Sequence, residues 1–159
     1  MPLTFAYGSN MSVADMTARC PRAKRLGLAR LAKFRFALLP NGFATVVRDP
    51  AALTHGVLWE VSFGDLAALD RYEGVAEGGY EKIVLPVIRE TGFARALVYI
   101  GRPDADRERA PPGYMEAIVA AAVAQGLPRD HVEFLRLCGG LAPEAPPKKF
   151  RAIKNENFL

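Results

Sequence analysis

Two short stretches hold the residue types that a reaction needs. Tyr7-Gly8-Ser9-Asn10-Met11 follows an apolar run and opens a helix. Gly8 lets the backbone approach a ligand closely, and successive N–H groups at a helix start attract anions. The same five residues also read as an ordinary strand-to-helix turn. Glu73 is the second feature. It ends the helical stretch Leu69-Asp70-Arg71-Tyr72 and precedes the glycine-rich run Gly74 to Tyr80. A helix C-terminus carries partial negative charge, so a carboxylate stands there at a disadvantage where Lys or Arg is normal. In a dry site such a carboxyl keeps its proton more readily and serves as both acid and base. In a wet one, Glu73 is an exposed and slightly ill-placed side chain.

Other chemistries find less support. His55 and His131 are too few and too far apart for a zinc site, and no metal ligand set or cofactor motif is expected. Ser9 lacks the G-x-S-x-G frame of a hydrolase elbow, which leaves a Ser9/His55/Asp70 triad with little behind it. There is no P-loop and no dinucleotide fingerprint. Cys20 and Cys138 have neither metal-site nor C-x-x-C spacing and read as buried or half-buried thiols. The net charge of +4 suits solubility or an anionic small substrate better than nucleic acid. No apolar run approaches the ~18 residues of a membrane span. The start of the chain shows no signal-peptide pattern, so a cytoplasmic address is expected.

The elements that must position these residues follow from periodicity and capping. Leu3–Ala6 reads as a buried strand, and Ser12 or Asn10 caps a helix over Val13–Arg19 that stops at Cys20-Pro21. Arg25–Leu39 mixes signals, with strand favoured in its second half. Pro40-Asn41-Gly42 is a turn, followed by a short strand at Ala44–Val47 and a separate one at His55–Ser62 that holds Trp59 in the core. Phe63, Leu66 and Leu69 mark a helix face after Ser62, with Gly74 as its stop. Strands are expected at Tyr80–Arg89 and Ala94–Ile100, then helices at Tyr114–Gln125 and from Pro128 to about Cys138. With 159 residues this makes one domain, residues 1–141, with 142–159 a Pro-rich linker and basic tail. The order does not alternate strictly, so the fold class is α+β with a mixed or antiparallel, barrel-like sheet.

The combination of motifs resembles one family. Phe5-Ala6-Tyr7-Gly8-Ser9-Asn10-Met11 looks like the first signature of the γ-glutamylcyclotransferase family, which includes the AIG2-like proteins. Gly56-Val57-Leu58-Trp59-Glu60-Val61 followed by Leu69-Asp70-Arg71-Tyr72-Glu73-Gly74-Val75 is similar to its second, closed by Gly79-Tyr80. Ala110-Pro111-Pro112-Gly113-Tyr114, a helix, and Gly126-Leu127-Pro128 make a third match. The likeness runs from Phe5 to about Pro128 and weakens after Gly139. Asn41-Gly42 stands where some relatives are expected to carry a longer insertion, a difference that would bear on substrate choice. The resemblance implies a compact barrel flanked by helices, and an acyl-transferring, lyase-type enzyme that uses no cofactor. It converts γ-glutamyl compounds to 5-oxoproline and a released amine, in glutathione metabolism among other settings. Glu73 is implied as the acid–base residue, and Tyr7, Gly8, Ser9, Asn10 and Met11 as the substrate cradle, with Tyr114 beside it.

Three rivals stand next to this reading. A γ-glutamylamine cyclotransferase would share Glu73 and the turn and differ in the leaving-group pocket. A non-catalytic binding module would keep the scaffold but has no need of Glu73. A nucleic-acid or protein partner acting through Lys148, Lys149, Arg151 and Lys154 explains only the tail. The partner expected is therefore a small γ-glutamyl molecule, without nucleic acid or membrane, and with a homodimer left open.

Overall fold

Residues 1–105 and 107–145 of a computed structural model are described. Five strands close a barrel in the order β1-β3-β2-β4-β5. They are β1 (Leu3–Ala6), β2 (Lys24–Leu38), β3 (Ala44–Glu60), β4 (Tyr80–Arg89) and β5 (Gly92–Gly101). Neighbouring strands are antiparallel, as short turns at Pro40-Asn41-Gly42 and Glu90-Thr91 allow. The exception is the seam, where Thr4 of β1 pairs in parallel with Leu97 of β5. The sheet is thus mixed, in an α+β fold. Among the described residues four helices flank it: α1 (Val13–Arg19), α2 (Phe63–Glu73), α3 (Tyr114–Gln125) and α4 (Arg129–Cys138). α3 packs on α4 and on a 3₁₀ turn at Ser9–Met11, and α1 packs on α2.

Two strand expectations need correction. β2 is extended along its whole length, including the ambiguous first half, because Leu28, Ala29, Arg30 and Leu31 pair in register with Val57, Gly56, His55 and Thr54. The expected strands at Ala44–Val47 and His55–Ser62 are one strand, β3, ending at Glu60. Arg48-Asp49-Pro50 looks like a break in sequence. In the fold it is absorbed by an irregularity: Phe34 pairs with Arg48 but Ala32 pairs with Leu53, and Lys33 takes φ 66 between them. Pro50 lies in this stretch, where no ladder N–H is required of it.

The helix boundaries follow local chemistry. Ser12 and Ser62 accept hydrogen bonds at their Oγ from the N–H of Asp15 and Asp65, which satisfies donors that a helix start otherwise leaves open. Gly74 ends α2 in the left-handed region, φ 65. Phe36, Leu31, Leu58, Val57 and Met11 fill the interior, with Trp59 and Cys20 also buried. Cys20 and Cys138 are free thiols. Among the described residues, no helix is long and apolar enough to cross a membrane. The proposed contact residues of the tail, Lys148, Lys149, Arg151 and Lys154, lie outside the described residues.

Candidate active site

β1 delivers the chain from the barrel interior to its rim, and there Tyr7 to Asn10 turn across the mouth. Tyr7 is buried; its hydroxyl donates to the Tyr99 carbonyl and its ring meets Phe36 edge-on at 6.3 Å. In the 3₁₀ turn the Met11 and Ser12 N–H groups bond back to the Gly8 and Ser9 carbonyls. The Ser9 and Asn10 N–H groups, at the head of the turn, have no intrahelical partner. A Cβ on Gly8 would lie 3.4 Å from that of Ala44, an ordinary contact, so local space alone does not demand glycine here.

From the other side α2 brings in Glu73 as its last residue. Its carboxyl Oε1 accepts a 3.0 Å hydrogen bond from Asn10 Nδ2. The Asn10 Oδ1 in turn accepts from Arg19 Nη1 at 2.5 Å, and the same nitrogen reaches Ser9 Oγ at 3.2 Å. Arg19 Nη2 donates to the Tyr72 hydroxyl at 2.7 Å, with the guanidinium carbon 3.7 Å from the Tyr72 ring centre. Glu73 is half-buried as a residue, but its carboxyl sits inside a ring of tyrosines, and the carboxyl is what titrates. Burial pushes it up to about 7, against the opposing pull of Arg19, the Asn10 hydrogen bond and Arg107. The raised pKa expected of this carboxyl in a dry site is therefore present, and loss of water is its cause.

Two adjoining chambers meet at this carboxyl. The first, of about 40 Å³, is lined by Tyr7, Gly8, Ser9, Asn10, Ala44, Tyr80, Tyr99 and Tyr114, with Phe5 and Ala6 behind them. The second, of about 150 Å³, is lined by Phe43, Tyr72 and Arg107. Ser9, Glu73, Tyr80 and Tyr114 belong to both. Tyr114, the first residue of α3, accepts at its hydroxyl from the Ala44 N–H at 3.0 Å, and burial pushes its pKa up to about 12. Tyr80 donates to the Ala44 carbonyl and Tyr99 to Asp70 Oδ1 at 2.6 Å; burial raises both above the usual phenol range. All four phenols remain neutral at physiological pH, so the ring adds hydroxyl dipoles without charge.

Residues 54–135 match the model of the AIG2-like family. The γ-glutamylcyclotransferases of Mus musculus and Homo sapiens are each 30% identical to the chain over 146 residues. The aligned region covers 84% of this chain and 77% of either relative. This chain belongs to the AIG2-like γ-glutamylcyclotransferase family. A solved structure titled gamma-glutamyl cyclotransferase superposes on it with a TM-score of 0.75 at 28% identity, covering 93% of this chain and 92% of that one.

Within this family member, the structure brings Tyr7, Gly8, Ser9, Asn10, Glu73 and Tyr114 around one cavity. Met11 is the exception among the expected cradle residues. It is fully buried and lines neither chamber, because its apolar side chain is worth more in the core than at a polar mouth. Asn10 faces the cavity but commits its amide to Glu73 and Arg19. The Ser9/His55/Asp70 triad does not assemble: Asp70 is bonded to Tyr99 and Lys82, and the His55 ring lies tilted against His131, their centres 5.0 Å apart. Among the described residues no group of three His, Cys, Asp or Glu side chains is placed to hold a metal.

Sequence reasoning missed Arg19, Arg107, Tyr80 and Tyr99 as site residues. Arg19 closes a helix and Arg107 sits among charged loop residues, positions where arginine is common for other reasons. Tyr80 gave a partial signal, as the end of the Gly79-Tyr80 motif.

Proposed function

We propose that this chain is a γ-glutamylcyclotransferase, converting γ-glutamyl compounds to 5-oxoproline with release of the amine. The observation that carries the reading is the Glu73 carboxyl, half-titrated near pH 7, held by Asn10 at the junction of two chambers. The names of the mouse and human relatives support it. The substrate's own α-amine is the nucleophile and its γ-carbonyl carbon the electrophile. Glu73, as carboxylate, takes a proton from the α-ammonium, and the freed amine attacks the carbonyl to close a five-membered ring. The γ-carbon–nitrogen bond then breaks, and Glu73 returns the proton to the departing nitrogen. The second proton shed by the attacking nitrogen follows the same route, so two protons leave one nitrogen, two arrive on the other, and Glu73 ends as it began. A carboxyl near its pKa at working pH suits both transfers.

Ring closure is intramolecular, so the reading asks for no enzyme nucleophile, metal or organic cofactor. The protein's contribution is to hold the glutamyl chain bent until nitrogen meets carbon at about 3 Å. Ser9 and Asn10 line the same cavity, and backbone N–H groups of their turn would suit the α-carboxylate or the oxyanion that develops at the γ-carbonyl. Two free thiols agree with a reducing, cytoplasmic setting.

The test is to incubate the purified protein with γ-glutamyl dipeptides, glutathione and γ-glutamyl amines and to assay 5-oxoproline. Glu73→Gln keeps the shape and can still accept the Asn10 hydrogen bond, but cannot take a proton from an ammonium. Turnover is expected to fall by ~10⁴ or more, the upper end for an acid–base residue, with the fold and substrate binding retained. A normally folded parent that makes no 5-oxoproline from any of them would point to a binding module. A Glu73→Gln variant that stays within about tenfold of the parent would remove Glu73 from the chemistry.

A further inference from the structure

Glu73 stands at the boundary of the two chambers, which is where a group serving both the attacking α-nitrogen and the departing amide nitrogen must stand. If the γ-glutamyl half occupies the chamber formed by the Tyr7–Asn10 turn, the departing amine extends into the one bounded by Phe43, Tyr72 and Arg107. The character of that second chamber then sets which amines are accepted.

Arg107 dominates it. Its guanidinium lies 5.4 Å from the Phe43 ring centre and 5.5 Å from that of Tyr80. Its Nη1 makes a 3.4 Å hydrogen bond to the Glu73 carbonyl. Gly79 provides the seat: a Cβ there would meet Arg107 Cδ at 3.0 Å and Nη1 at 3.1 Å. The loop that carries Arg107 is tied to the β2–β3 turn by a 2.9 Å bond from Ala110 N–H to the Asn41 carbonyl. Arg35, Lys82, Arg102, Arg129 and Arg136 each pair with a carboxylate. Arg107 has no such partner among the described residues. Guanidinium presents five donors in a planar fork that matches a carboxylate, and a half-buried, aromatic-walled fork is a place where such a pair is strong.

We infer that Arg107 reads the carboxylate of the departing amino acid and is the specificity-determining residue on the leaving-group side of the site. This rests on the cyclotransferase reading. It also gives the Asn41-Gly42 turn a part in substrate choice, as the anchor of the loop that presents the arginine.

The experiment compares γ-glutamyl-alanine with γ-glutamylethylamide, the same molecule without the leaving group's carboxylate. The readout is the ratio of their kcat/KM values. Arg107 also lowers the Glu73 pKa, but that influence acts on both compounds and cancels in the ratio. The parent should favour γ-glutamyl-alanine, and Arg107→Ala should cut the preference roughly ten- to a hundred-fold, the value of a hydrogen bond to a charged group. Arg107→Lys keeps the charge without the fork, and should recover part of the preference; it carries the test if the alanine variant melts abnormally. Equal losses on both compounds would overturn the inference, since Arg107 would then serve the glutamyl half or Glu73 alone. A parent that prefers the ethylamide would overturn it as well. A parent inactive on both compounds would instead sink the cyclotransferase reading, and the inference with it.

Discussion

Glu73 is governed by two opposing influences that act on one carboxyl. Burial raises its pKa, while Arg19, Asn10 and Arg107 lower it, and the balance falls at about 7. The free enzyme is competent as a base only when this group is ionised, so kcat/KM should rise with pH through about 7. Arg19 acts through Asn10: by engaging Oδ1 it turns Nδ2 toward Glu73, which makes it a positioning residue. Arg19→Ala should move the acid limb of the profile to higher pH and cut the rate at neutral pH roughly tenfold, with Arg19→Lys restoring part of the shift. An unmoved limb would leave Arg19 with a structural role only. Stability carries the same signature with the sign reversed. A carboxyl whose pKa is raised on folding binds its proton more tightly in the folded state, so the fold loses stability as pH rises from about 4.5 to 7. Melting curves of Glu73→Gln and parent should therefore converge below pH 4.5 and separate above 7, the variant being the more stable.

At the scale of elements, the site depends on how closely β1 lies against β3. Gly56 of β3 faces the end of β1, and a Cβ there would come within 2.3 Å of the Ala6 carbonyl oxygen and 2.7 Å of the Phe5 ring. Backbone cannot swing aside as a side chain can. Gly56→Ala should cost ~3 kcal/mol or more, a fall in Tm on the order of 10 °C. It should also impair turnover below the melting point, because Tyr7 to Asn10 continue directly from the displaced strand. Differential scanning calorimetry with the 5-oxoproline assay checks both. An unchanged melt would mean that the strands have more freedom to separate than their packing shows. The helices were legible in sequence because Ser12, Ser62, Gly74 and Gly126 act on their immediate neighbours. β3 was not legible as one strand, since Pro50 is a local stop signal, and only pairing with β2 carries the chain through it.

For the molecule as a whole, the proposed reaction draws on the barrel rim and on nothing added to it. Exhaustive dialysis against a chelator should leave 5-oxoproline formation unchanged. Activity lost on dialysis and restored by a single divalent ion would require a different mechanism. The barrel supplies the dry setting in which a carboxyl and four phenols lie side by side, drawn from the turn after β1 and from α2, β4, β5 and α3. None of these elements makes the cavity alone, and the parallel contact of Thr4 with Leu97 that closes the sheet joins the first strand to the last.

The sequence by itself determined the caps and stops of the helices, the short first strand, the α+β class and the two stretches, Tyr7 to Asn10 and Glu73, that meet in the site. Each is written in residues a few positions apart, or in motifs whose order and spacing survive without coordinates. Tertiary structure alone decided that Asn10 holds Glu73, that Arg19 holds Asn10, that Met11 belongs to the core, and that Tyr80, Tyr99 and Arg107 share the cavity. Those contacts span 9 residues for Arg19 and Asn10 and 63 for Asn10 and Glu73. The desolvation that sets the Glu73 pKa comes from walls contributed by the whole barrel. Burial of a particular oxygen is a property of closure, and closure is not written in any one segment.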